Sequence, residues 1–134
     1  MKTIIEFLGW LTVVSFGLAI LNFFVKYVNK KYISKLPKDK KNFVDMYRKF
    51  MRILIKYHKL FGLVAIVSSI SHFALNYYFN GIKITGLIAL GIMIFIGGLG
   101  IYGAYINKKY TGTWLKIHRI AAFTLIVSII IHVI

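Results

Sequence analysis

Four histidines are the only residues in this chain whose type and spacing suggest chemistry. His58 and His72 are fourteen positions apart, and so are His118 and His132. At about 100° per residue, fourteen positions return a helical side chain to within about 40° of its start, so each pair shares one helix face. The rise over that interval is roughly 21 Å. Two such histidines cannot bind one metal ion, but they can sit at two depths in a bilayer core of about 30 Å. Neutral imidazole is a good ligand for iron. If the two helices face each other, His58 with His118 and His72 with His132 make two level pairs. Each pair could supply both axial ligands of a haem. Four buried imidazoles without partners would be costly in a membrane. The plainer alternative, each histidine hydrogen-bonded to a neighbouring helix, does not account for equal spacing on both helices.

The elements that would hold these residues are hydrophobic. The chain has 134 residues, 59% of them hydrophobic, too large an apolar share for a soluble domain this small to hide. Phe7 to Val25, Leu60 to Ile82 and Ile84 to Asn107 contain no Asp, Glu, Lys or Arg. Each is long enough to span a bilayer. A fourth stretch, Leu115 to Ile134, keeps its cations near one end, where they can snorkel to the headgroups. The expected fold is an all-α membrane protein: one domain, residues 1–134, forming a four-transmembrane-helix bundle with haems between helices 2 and 4. The spans are placed at about 4–28, 54–78, 84–106 and 114–134. The first lacks a small-residue cleavage pattern around Asn22-Phe23-Phe24-Val25-Lys26, so it reads as a retained helix. From Phe43 to Leu54 apolar residues recur at helical spacing between cations, either as an interfacial helix or as the cytoplasmic extension of helix 2; a helix lying near the headgroups and leading directly into the second span is favoured.

The net charge is +15, and its distribution matters more than its size. Twelve of the eighteen cations lie between Lys26 and Lys59, and four more (Lys108, Lys109, Lys116, Arg119) flank the start of the last span. This asymmetry places the basic segment 29–53 and the Lys108–Thr113 loop in the cytoplasm. Both termini and the 79–83 turn then face outward, in the cell membrane of a prokaryote. Helices 2 and 4 run in the same direction, so His58 and His118 form the inner pair and His72 and His132 the outer. His132 sits two residues before Ile134, where helices fray, which makes the outer pair the expected weak point. The basic face suits anionic membrane lipid and an acidic redox donor, rather than nucleic acid.

Shifting the chain by 60 residues superposes His58 on His118, Lys59 on Arg119 and His72 on His132. Lys59 and Arg119 adjoin the inner ligands and are candidates to neutralise haem propionates, with snorkelling as the alternative. Gly62, Ala65 and Ser69 line the path between His58 and His72, opposite Ala122, Leu125 and Ile129. Small residues there leave room for a macrocycle or for close helix packing. Asn76, Tyr77, Tyr78, Trp10 and Trp114 are expected chiefly in the interfacial aromatic belt.

Trp114-Leu115-Lys116-Ile117-His118-Arg119-Ile120, followed by His132, resembles the Trp-x-x-Leu-His-Arg-Leu segment of ferric-reductase-like transmembrane cytochromes b. His58-Lys59-Leu60-Phe61-Gly62, up to His72, looks like the matching earlier helix. The paired spacing is also similar to the cytochrome b of respiratory complexes. The resemblance covers about a third of the chain. It implies bis-histidine ligation of two haems b and transmembrane electron transfer. Full ferric reductases and NADPH oxidases have six spans and a flavin- and nucleotide-binding domain. This chain has four expected spans and no room for a Rossmann unit.

The expected function is therefore electron transfer between a cytoplasmic donor and an external or quinone acceptor, as an oxidoreductase component. Two other functions fit parts of the pattern: a quinone-reactive anchor subunit for a soluble dehydrogenase or hydrogenase, and a haem-free transporter or assembly factor. Glu6, Asp39 and Asp45 all lie outside the span cores, which argues against proton-coupled transport and hydrolysis. With no cysteine, thiolate chemistry is absent. A homo-oligomer is a further expectation, on the general frequency of two-fold assemblies.

Overall fold

The computed structural model describes residues 1–109 and 111–134. Among them all regular secondary structure is helical: α1 (Lys2–Lys31), α2 (Lys41–Asn80), α3 (Ile84–Ile101) and α4 (Thr113–Val133). Two short 3-10 turns, Ile33–Lys35 and Lys38–Lys40, bracket Pro37 between α1 and α2. A π turn, Tyr102–Ile106, prolongs α3. All four helices are long and apolar enough to cross a membrane. Tyr110, in the expected Lys108–Thr113 loop, lies outside the described residues.

The amphipathic run does not form a helix of its own. It is the first part of α2, one unbroken helix of 40 residues, about 60 Å long. Nothing in the sequence would break it there. The only proline precedes Lys41, and the first glycine after that is Gly62. The helix stops at Gly81, whose φ of 82° is a left-handed conformation that glycine adopts without strain. Gly112, with φ 116°, makes the corresponding bend ahead of α4.

Helix α1 packs along α2, α3 along α4, and α2 along α3. The bundle is thus two hairpins joined at the α2–α3 contact. Helices α2 and α4 are not among the closely packed pairs, and side chains fill the space between them. Fourteen residues are two heptads, and a 3.5-residue period keeps one stripe of a helix turned toward its neighbours. On α2 that stripe carries Leu54, His58, Ala65, Ser68 and His72. On α4 it carries His118, Ala121, Leu125 and His132.

Between the two histidine levels lies the core: Phe16, Ala65, Met93, Ile96, Ala121 and Leu125. One polar contact crosses it, where the Thr12 and Ser68 hydroxyls meet at 2.8 Å. Each hydroxyl also lies within hydrogen-bond distance of a carbonyl of its own helix, Leu8 at 2.9 Å and Val64 at 2.7 Å. No polar hydrogen in that cluster is therefore left bare in an apolar interior.

Leu125 is the most enclosed large side chain, 1% exposed, whereas Val127, two residues on, is 57% exposed. Leu125→Ala should cost about 2–5 kcal/mol of stability, and Val127→Ala within about 1 kcal/mol of nothing. Unfolding of the purified variants in detergent measures the contrast. Equal losses would mean that the space between α2 and α4 is not a packed core.

Candidate functional site

Every histidine reaches the space between the hairpins, and the pairs formed are the expected ones. The rings of His58 and His118 have centroids 6.4 Å apart, their planes crossing at 67°. The rings of His72 and His132 have centroids 6.3 Å apart, crossing at 88°. All four side chains are half-buried.

The supports of these rings settle which nitrogen is free. His58 Nδ1 lies 3.1 Å from the Ala19 carbonyl, and His72 Nδ1 lies 2.7 Å from the Ile5 carbonyl. A carbonyl oxygen only accepts, so both Nδ1 atoms carry the proton. In neutral imidazole that leaves Nε2 as a bare lone pair, the form that ligates a metal. His132 Nδ1 is held by the Thr85 hydroxyl at 2.9 Å. His118 Nδ1 is buried without a hydrogen bond; the Ile96 carbonyl is close by but not in bonding geometry. Among the described residues, no Nε2 of the four makes a hydrogen bond.

The separation has a chemical meaning. Two metal–imidazole bonds of about 2.0 Å, plus roughly 1.2 Å from nitrogen to ring centre on each side, give about 6.4 Å between centroids when both rings point at the ion. Both levels have that spacing. Among the described residues, no three or more His, Cys, Asp or Glu cluster as a self-sufficient metal site. Two imidazoles would suit an ion whose remaining positions are filled by something else, as a porphyrin fills those of iron. Two imidazoles at each level, with Nε2 unpaired among the described residues, are the donor set that a haem would take.

Glycines shape the outer level. A Cβ on Gly9 would lie 3.1 Å from His72 Cε1, and one on Gly86 would lie 2.9 Å from His132 Cε1. Each ring lies directly against helix backbone. A cleft of about 220 Å³ opens beside this pair, walled by all four helices, with Phe73, Ser69, Ala89 and Ile129 among its lining. At the inner level a Cβ on Gly62 would meet nothing within 4 Å, so the helix surface next to His58 is open.

The neighbours of the rings repeat as the histidines do. Gly9 and Ala19 stand ten residues apart on α1, against His72 and His58. Gly86 and Ile96 stand ten apart on α3, against His132 and His118. In the sequence only the first glycines of 9–19 and 86–96 coincide, so this second repeat is one of position and not of residue type. Thr85, Ile5 and Ala19 were not singled out there at all. His132 differs from the fraying expectation: α4 continues through Val133, and Thr85 fixes the ring.

The other expected residues divide. Lys59 and Arg119 are exposed at the rim of the inner level, with Lys59 Nζ 5.6 Å from the Tyr105 ring centre and the Arg119 guanidinium 5.3 Å from that of Phe23. Asn76 lines the outer cleft, with its side-chain oxygen accepting from Asn80 at 3.0 Å. Tyr77 and Tyr78 are exposed, as belt residues would be, and so is Trp10. Trp114 departs from that expectation. Its ring turns inward, 6.4 Å from both His118 and Tyr102, and its indole N–H donates to the Lys109 carbonyl at 3.2 Å. The π turn permits this. There the Asn107 N–H reaches five residues back to the Tyr102 carbonyl, and Gly103 faces the indole with no side chain.

No family model, curated protein or solved structure matches the chain.

A Cβ on Gly103 would overlap the Trp114 ring. In a Trp10→Phe background, Gly103→Val should expel that indole, red-shifting its emission and increasing quenching by acrylamide. Unchanged emission would contradict the inward position of Trp114.

Proposed function

We propose that this chain is a transmembrane electron-transfer subunit of the ferric-reductase-like kind, binding one haem b between His58 and His118 and a second between His72 and His132. The observation that carries the reading is the pair of ring separations, 6.4 and 6.3 Å, on imidazoles whose Nε2 atoms are left without partners. When bound, haem iron supplies reversible one-electron chemistry. The protein's own contribution is position and environment.

The Ala19 and Ile5 carbonyls and the Thr85 hydroxyl orient three of the imidazoles and raise their basicity as ligands. Gly9 and Gly86 let the outer rings lie against the backbone. The core between the levels, from Phe16 to Leu125, excludes water from the interval between the two sites. Lys59 and Arg119 are the cations placed to neutralise carboxylates at the rim of the inner level. Cation-rich helix ends at that rim suit an acidic donor from the cytoplasm. Charge asymmetry puts the outer pair toward an external or quinone acceptor.

Absorption of the purified protein, oxidised and then dithionite-reduced, tests the reading. The expected result is haem b bands and a pyridine haemochrome yield of two haems per chain. His72→Ala should remove one haem and leave the other, and His58→Ala should do the converse. A colourless protein, or the loss of neither haem, would end the proposal.

Topology is open to a separate check, since the chain has no cysteine of its own. Ile82→Cys should react with a membrane-impermeant maleimide on intact cells, and Lys38→Cys only after permeabilisation. The reverse pattern would invert the inner and outer assignments without disturbing the histidine pairs.

A further inference from the structure

The four histidines are not held equally, and the difference falls on one residue. His72 and His132 are each fixed twice. A hydrogen bond holds Nδ1, at 2.7 Å and 2.9 Å, and a glycine backbone lies so close that a Cβ there would come within 3.1 or 2.9 Å of the ring. His58 is fixed once, by the Ala19 carbonyl at 3.1 Å. His118 is fixed by neither device. Its Nδ1 has no hydrogen bond, and a Cβ on its neighbouring glycine, Gly100, would stop 3.8 Å away. On its other side the Trp114 ring stands 6.4 Å off, centre to centre.

Both devices bear on how firmly an imidazole stays on a metal. A hydrogen bond from Nδ1–H increases donation from Nε2 and fixes the ring's rotation, and losing such a support typically weakens binding about 10- to 100-fold. Steric contact with backbone prevents the ring from swinging aside. Resting on the di-haem reading above, we infer that the inner site is an exchangeable one. His118 can leave the iron and give its coordination position to a small diatomic ligand, while the outer site stays closed with both imidazoles bound. The exchange is a ligand substitution. The bond from iron to His118 Nε2 breaks, a bond from iron to the incoming ligand forms, and no electron or proton is transferred. His58, supported by Ala19, remains as the opposite ligand. The inner haem could then bind or sense a diatomic gas as well as relay electrons.

Carbon monoxide added to the dithionite-reduced protein is the probe. Pyridine haemochrome analysis of the same sample first counts the haems, so failure of the di-haem reading shows separately as a yield other than two. With two haems present, the CO difference spectrum should show about half of the haem binding CO. His72→Ala protein, retaining the inner haem, should still bind it, and His58→Ala protein, retaining the outer haem, should not. CO uptake by neither variant, or by the His58→Ala protein, overturns the inference.

Two further variants test the cause rather than the location. Thr85→Val removes the support of His132 and should make the outer haem reactive to CO as well. Gly100→Ser adds a hydroxyl where there is room. A helical serine commonly bonds the carbonyl four residues back, here that of Ile96, which would set its oxygen to accept from His118 Nδ1. CO affinity at the inner haem should then fall by about tenfold or more. Unchanged CO binding in both variants would show that these supports do not control the exchange.

Discussion

Neutral imidazole carries one nitrogen that donates and one that only accepts, and burial in hydrocarbon makes both need a partner. That requirement organises the bundle. In α1 the carbonyls of Ile5 and Ala19 turn from their own helix to serve the histidines of α2. In α3 the Thr85 hydroxyl does the same for α4. Three of the four Nδ1 atoms are thus met within their own hairpin, and that of His118 is not. Between α2 and α4 themselves the backbones do not pack closely.

Glycine and small residues serve two purposes in such a bundle. Gly9 and Gly86 bring backbone up to the rings, and Ala65 and Ala121 let the core close on Leu125. Gly62, by contrast, faces space. The stripe of small residues on α2 therefore packs tightly between the levels and opens at the inner one.

The four spans and both histidine pairs were legible in the sequence. Uncharged runs report spans directly, and a spacing of fourteen reports two heptads on one face. The supports were harder to read, for a physical reason. Ile5 and Ala19 act through carbonyl oxygens, which every residue has, so side-chain identity gives no sign of the role. Thr85 was hidden because a single threonine at a helix start has many uses. Trp114 was assigned to the belt because tryptophan near a helix end usually sits there. What turns it inward is a π turn on a different helix, made possible by Gly103. The sequence left the continuity of α2 as one of two alternatives, because an amphipathic run beside a span reads alike whether the helix bends at the headgroups or passes straight through.

That continuity gives the molecule an uneven profile. With the histidine pairs level, α4 extends five residues beyond His118 on the basic side, whereas α2 extends seventeen beyond His58. The excess of twelve residues is about 18 Å of helix. The α1–α2 hairpin therefore stands over the start of α4 like a parapet, with Trp114 at its foot. Anything that approached the His58–His118 pair from this end would meet a higher wall at α2 than at α4.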